Sequence, residues 1–311
     1  MALQDTTYSE VKGVRKAIDL GTKIAIDDFI ALPYLGVERT NEKVKIINSY
    51  EGMGGTRKLA KWEEPDTNAL QEGYQTETER DRYGNGFMIS EDDQEDMKDS
   101  TILVQEFVTK QARALMMDIK SKLAVDTHAI MNDAVTGTTF TGPDAVALAG
   151  THSWNTTGAS TFANNTTAKL SIAAWDAVEA YAGAFQSSDD KPDPKNFDTV
   201  IVKKGGAASR IAMKMFAEGI SPVAIGDINL YEGAVKIYQD PYITDTDYWY
   251  AFDSSLASKI GNSMVTFINK DPVMHEPIVE KNRAVSTSVT GYWKSNIVAL
   301  PTMWYVSTGA V

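Results

Sequence analysis

From Phe87 to Thr136 the chain contains neither glycine nor proline. Elsewhere 22 glycines and 10 prolines punctuate the 311 residues, so no other feature constrains the fold as much as this uninterrupted run. Within it Val104, Val108, Ala112, Leu115, Ile119 and Leu123 recur at steps of three or four, which makes one helical stripe, and Leu103 and Phe107 widen it. Ser90 followed by Glu91, Asp92, Asp93, Glu95 and Asp96 marks a start, because acids complement the positive end of a helix. Gly137 supplies the stop. The pattern predicts a single helix of about 30 to 40 residues, roughly 45 to 60 Å long. That is several times the ordinary length. Such a helix is a rib rather than a packing element of a compact enzyme.

Charge is distributed unevenly. The chain has 30 Lys+Arg against 42 Asp+Glu, a net charge of -12. A nucleic-acid grip or an anionic membrane surface calls for a clustered positive field, so neither is expected as the main partner. Residues 60–99 alone hold thirteen acids against four bases, nine of the twelve excess negative charges. This segment is poor in aliphatic residues and is expected to project from the body. Its edges read as strands. Val44 and Ile46 alternate with Lys43 and Lys45, and Gly52, Gly54 and Gly55 supply a turn or flexible tip. On the return, Tyr74, Thr76, Thr78, Arg80 and Arg82 keep one phase, with Gln75, Glu77, Glu79 and Asp81 in the other. Both phases are largely polar, so this is an exposed ribbon without a core of its own. A lone two-stranded ribbon is marginal in water and must lean on something, a neighbouring subunit being one candidate.

The stretch Thr138 to Lys169 is rich in small residues and reads as loop. Ser171 then caps a helix whose Ile172, Trp175, Val178, Tyr181 and Phe185 recur at three or four. Thr199 to Val202 reads as a buried strand and Ala207 to Ala217 as a helix, with further strands at Val235 to Tyr238 and Tyr248 to Phe252. Intermixed helices and strands predict a mixed α/β domain. The remaining residues read as strands at Val265 to Ile268, Ala284 to Val289, Ile297 to Leu300 and Met303 to Val306.

Signals for chemistry are few. The chain has no cysteine, which excludes a disulfide scaffold, a Cys-ligated zinc site and a thiol nucleophile. Three histidines, His128, His152 and His275, lack metal-ligand spacing and read as packing or polar-face residues. No Gly-x-Ser-x-Gly elbow occurs. Gly52 to Lys58 lacks the spacing of a phosphate loop, and Gly205-Gly206 reads as a common turn. The acids Glu91 to Asp96 lack the central glycine of a calcium loop and read as helix-end complementation. No catalytic, cofactor-binding or metal residue is assigned, and no cofactor is expected. Without an 18-residue apolar window or the apolar core of a signal peptide, the chain is expected to be a soluble protein made in the cytoplasm.

The order of these parts resembles a tailed-bacteriophage major capsid protein of the Hong Kong 97 type. Asp144 to His152 (DAVALAGTH) is similar to the loop after the spine helix in the Mu-like major head subunits, and Tyr248 to Asp253 (YWYAFD) has the look of these proteins. The resemblance covers essentially the whole chain as architecture, with loose motifs. It implies an α+β fold of capsid type: an N-terminal arm (1–35), an extended two-stranded loop (36–90), a spine helix (91–140), a mixed α/β axial domain (141–262) and peripheral-domain strands (263–311). It further implies self-assembly into pentamers and hexamers that enclose double-stranded DNA without sequence-specific binding. The shell would form in the host bacterial cytoplasm and end in the virion. Its partners would be a portal and a decoration protein, with no membrane. If Met1 is the native start, a separate scaffolding protein is expected. Lys58, Lys61, Trp62, Tyr74, Arg80 and Arg82 are the candidate intersubunit contacts. Covalent cross-linking in one branch would need Lys58 or Lys61 against Asn282 or Asn296, and nothing marks these residues. Two rivals stay open: an encapsulin-like nanocompartment shell and an acidic α+β enzyme.

Overall fold

Helix α1 (Val104–Asn132) is the axis on which two β-sheets meet. The computed structural model describes residues 35–50, 72–93, 104–156, 160–188, 190–217, 231, 233–256, 263–280 and 284–310. At 29 residues α1 is about 43 Å long, close to the expected rib. Its stripe is buried at Val108, Ala112, Leu115 and Ile119, and it continues through Ala124, Ile130 and Met131. Propensity alone leaves a long helix marginal, so this continuous apolar contact holds it. The helix proper stops at Asn132, five residues before Gly137. Asp133 to Thr136 form a turn, and Gly137 adopts φ +58 so that its N–H reaches Asp133 O at 2.9 Å. Gly137 is required there: a Cβ would lie 2.7 Å from Ala147 Cβ.

The strands in chain order are β1 (Gly36–Arg39), β2 (Val44–Tyr50), β3 (Glu72–Glu79), β4 (Asp81–Ile89), β5 (Thr151–Ser153), β6 (Thr161–Ala163) and β7 (Asn165–Thr166). Helix α2 (Ile172–Ala184), β8 (Thr199–Lys203), helix α3 (Ala207–Phe216), β9 (Lys236–Asp240) and β10 (Trp249–Phe252) follow. The chain ends with β11 (Met264–Met274), β12 (Ile278–Val279), β13 (Val285–Ile297) and β14 (Trp304–Ser307). No described helix is long and apolar enough to cross a membrane.

The first sheet is built on β13. One of its edges pairs antiparallel with β11 and then β12, the other with β4, and β1 adds in parallel to β11. Along β13 the residues Val285, Val289 and Trp293 face α1 and pack with Val108, Leu115 and Ile119. Phe87 to Ile89, which precede the helix start marked by Ser90, are strand: Phe87 and Ile89 alternate with Met88 and pair with Thr287 and Val285. One expectation is corrected here. Ala284 to Val289 and Ile297 to Leu300 are not two strands: one thirteen-residue strand runs through Gly291 and ends at Ile297.

The second sheet has the order β7-β14-β10-β8-β9. Its central strands are buried on both faces, as expected where helices or other layers cover each side. Val200, Val202, Trp249, Ala251 and Tyr305 point to α2 and α3. Ile201, Tyr250, Phe252, Trp304 and Val306 point to the end of α1, where Ile130, Met131 and Ala134 meet Met264 and Ile297 of the first sheet. The Tyr250 hydroxyl donates to Met131 O at 2.7 Å across this seam. The segment 263–311 is thereby divided: β11 to β13 lie in the first sheet and β14 in the second. Ser171 caps α2 as its sequence predicts, its hydroxyl accepting from Ala174 N at 3.2 Å. The loop-rich stretch 138–169 holds the short pair β5–β6 and strand β7.

Candidate functional site

The residues with chemical potential are occupied with structure. His128 is buried on α1, with Nδ1 2.6 Å from Ala124 O and its ring stacked on Tyr242 at 4.8 Å. His152 is fully buried; Nδ1 lies 2.9 Å from the Asp144 carboxylate and Nε2 3.2 Å from Leu148 O. This clasp folds Asp144 to His152 into a loop that delivers Leu148 to the core. His275 Nε2 lies 2.7 Å from Thr290 Oγ1. Among the described residues no group of three or more His, Asp and Glu could hold a metal ion. Gly205, at φ +75, and Gly206 make the turn into α3, where Ala208 N already donates to Thr246 O at 3.2 Å. Ser90 and Asp93 cap a helical turn reciprocally: Asp93 N donates to Ser90 Oγ at 3.1 Å, and Ser90 N to Asp93 Oδ2 at 3.3 Å.

The ribbon is the part of the fold with the least core. Among the described residues, strands β2 and β3 pair only with each other, with Val44 opposite Glu79 and Ile46 opposite Glu77. Its polar side faces the body of the chain. The Lys45 ammonium sits 3.0 Å from Glu38 and 3.6 Å from Glu42, and the Glu38 hydrogen bond and charge raise its pKa. The Tyr74 hydroxyl donates to Asn155 O at 2.8 Å, and Asn296 Nδ2 to Thr78 Oγ1 at 2.8 Å. The opposite side pairs Val44 and Ile46 with Glu79 and Glu77 and leaves Ile46 54% exposed. The ribbon therefore leans on its own chain through a few polar bonds and presents Ile46, with Glu77 opposite it, to solvent.

Of the six contact candidates, Tyr74 lies beneath the ribbon on Asn155, while Arg80 and Arg82 come together over the Tyr292 ring, 4.9 and 5.9 Å from its centroid. Lys58, Lys61 and Trp62 lie outside the described residues, as do Gly52 to Lys58 and Asn282. Two features were not read from the sequence. A cavity of about 520 Å³ opens between the ribbon root, α1 and β13, with Glu77, Asp126, Phe140 and Trp293 in its walls. The face of the first sheet turned away from α1 exposes Met88 and Ile278, each 61% accessible. The alternation of Tyr83, Phe87 and Ile89 with Arg82, Gly84, Gly86 and Met88 was the available signal for a strand with one open face.

No family model matches the chain, and no curated protein matches it. Solved structures do. The asymmetric unit of the bacteriophage PhiM1 mature capsid matches over 91% of this chain and 89% of its own, with TM-score 0.52 at 10% identity. A chain from Mycobacterium phage Bobi matches over 90% and 91%, with TM-score 0.51 at 9% identity. The virus-like particle from Pyrococcus furiosus matches over 95% of this chain and 98% of its own, with TM-score 0.45 at 12% identity. The fold is thus a mixed α+β fold similar to that of the PhiM1 mature-capsid chain.

Proposed function

We propose that the chain is a structural shell protein whose copies self-assemble into the head of a tailed bacteriophage around double-stranded DNA. The observation that carries this reading is the end-to-end fold likeness to a mature phage capsid chain over about nine-tenths of both lengths. A plate that tiles a closed shell needs a stiff rib, a projecting element that overlaps the next plate and a wedge that meets at a symmetry axis. Helix α1, the β2–β3 ribbon and the second sheet with α2 and α3 supply the three.

In this reading residues 1–35 form an arm, 36–90 the overlapping loop, whose end strands β1 and β4 root it in the first sheet, 91–140 the spine, 141–262 the axial domain and 263–311 the peripheral strands, with β14 returning to the axial sheet. Copies assemble as pentamers and hexamers, with a separate scaffolding protein, a portal and a decoration protein as partners. The net charge of -12 suits a container that encloses DNA without gripping its sequence. The similarity of Asp144 to His152 to the loop of the Mu-like head subunits supports a place in that branch. The chain acts without catalysis: its histidines are packed into the fold and it has no cysteine.

The test is electron microscopy of the chain expressed with its neighbouring genes, followed by analysis of what the particles protect. Closed shells holding nuclease-resistant DNA are expected. Shells filled with a protein cargo would make it a nanocompartment, and a monomer with no particles would return it to the enzyme class.

A further inference from the structure

Two buried histidines flank the end of α1, and each ring lies between groups that accept. His152 has Nδ1 2.9 Å from Asp144 Oδ2 and Nε2 3.2 Å from Leu148 O. A neutral imidazole carries one N–H and one bare nitrogen, so either tautomer would aim a lone pair at an oxygen. Asp144 is itself an acceptor, taking Val146 N on Oδ1 and Ser153 N on Oδ2, both at 3.3 Å. His128 repeats the arrangement. Its Nδ1 lies 2.6 Å from Ala124 O and so donates, which leaves Nε2 facing Asp240 Oδ2 at 3.5 Å with no hydrogen bond of its own. Both rings and both carboxylates are buried. A sealed carboxylate beside a neutral ring would have no counter-charge in a medium that screens it poorly.

The surroundings of each ring add no second charge. Among the described residues Asp144 is the charged group on His152, and Phe162 of β6 stacks on that ring at 5.2 Å. Asp240 of β9 is the charged group on His128, and Tyr242, between β9 and β10, stacks on it at 4.8 Å. Tyr242 and Tyr250 also feel the Asp240 charge, but burial first of all raises both hydroxyls, so they stay neutral. Each pair also joins α1 to the second sheet. The Asp144–His152 clasp holds Leu148 in the cluster with Ile130, Met131 and Trp304, and Ala149 N donates to Ala134 O at 2.7 Å. The His128–Asp240 pair holds the β9–β10 connection on the helix, where Thr244 N donates to Asn132 Oδ1 at 2.9 Å.

We infer that His128 and His152 are both imidazolium ions in the folded chain, and that their protons latch α1 to the second sheet. A folded state that binds more protons than the unfolded chain loses stability as the pH rises. The joint is therefore closed at neutral pH and opens toward alkali, a pH-operated hinge between the two sheets. The inference stands on ring geometry and holds for free subunits and shells alike.

Magic-angle-spinning NMR of protein carrying isotope-labelled histidine reads the protons directly, whatever the particle size. The chain has three histidines, and His275→Gln removes the one that lies on the first sheet beside Thr290. Both remaining rings should show two N–H groups at neutral pH. A bare ring nitrogen on either would overturn the inference. Asp144→Asn should turn one ring neutral and speed hydrogen exchange of the Ala149 amide at least about tenfold. Asp240→Asn should do the same to the other ring and to the Thr244 amide. Rings that stay doubly protonated in both variants would contradict the pairing. Raising the pH of the unaltered chain needs no substitution and decides the matter if a variant fails to fold. Protection at Ala149 and Thr244 should fall as the second N–H of each ring disappears. Protection that survives that loss, after correction for faster base-catalysed exchange, would overturn the latch.

Discussion

The Asp133 carboxylate closes α1 by accepting the backbone N–H of Phe140 at 2.7 Å, seven residues further along the chain. The same two oxygens accept from Thr139 N at 2.7 Å, from Thr138 N at 3.0 Å and from the Thr136 and Thr138 hydroxyls. Burial by itself would push this carboxyl up. The hydrogen bonds from Thr136, Phe140, Thr139 and Thr138 outweigh it and hold the group well below the usual carboxylate range. A depressed folded value means stabilisation that is complete above about pH 4 and lost as the pH falls further. Asp133→Asn should cost about 1 to 3 kcal/mol at neutral pH, since one oxygen that accepts becomes an amide that cannot. In thermal melts the unaltered chain should lose more stability between pH 6 and pH 3 than the variant does.

Leu115 lies in the cluster where α1 meets Ile268, Val289 and Trp293. Leu115→Ala should lower stability by about 2 to 5 kcal/mol while leaving a folded subunit. Leu115→Pro removes a backbone bond in mid-helix as well, about 3 kcal/mol or more, and should give mostly insoluble or unassembled protein. Calorimetry and sedimentation read both outcomes.

Tyr83 stacks on Trp293 with ring centroids 4.2 Å apart. Burial first, then the charges of Asp126 and Asp81, push its hydroxyl up to about 12. A raised folded value means stabilisation present below about pH 10 and lost as the pH climbs toward 12. Other tyrosines are raised too, Tyr181 and Tyr250 by burial above all, so the whole chain should weaken in alkali. Tyr83→Phe should be the less alkali-sensitive protein over that window in chemical unfolding, with one late-titrating phenol fewer by absorbance.

Residues 50–72 connect β2 to β3, strands that pair with nothing else among the described residues. Replacing them with a short turn should leave the melting temperature within a few degrees of the parent, because the described core clusters contain no residue of β2 or β3. Assembly should fail or give irregular particles. Regular shells from this variant would show that the ribbon takes no part in assembly.

How much of this could be read in advance follows from the range of the interactions. The α1 stripe, the Ser171 cap and the buried strand at Thr199 are local patterns and stand where the residues placed them. The segment of strand β4 was read as part of the extended loop because its partner lies some two hundred residues away, Gly84 opposite Thr290, and no local period names a partner. Strand β13 was divided in two because Gly291 and Lys294 look like interruptions in sequence. In the sheet Lys294 points outward to Asp81 at 2.7 Å, and Gly291 leaves room for the Trp293 ring. For the ribbon, alternation separated the Val44–Ile46 side from the Lys45 side but could not say which faces solvent. Glu38 and Glu42 decide it by holding Lys45 against the body.

Single-particle cryo-electron microscopy of the assembled chain tests the central claim most directly. The account predicts a closed shell of pentamers and hexamers in which α1 runs as a continuous rod of about 43 Å in the wall. Each ribbon should cross to a neighbouring copy. A preparation that stays monomeric at every concentration and with every neighbouring gene product, or a particle in which each ribbon stays on its own subunit, would contradict it.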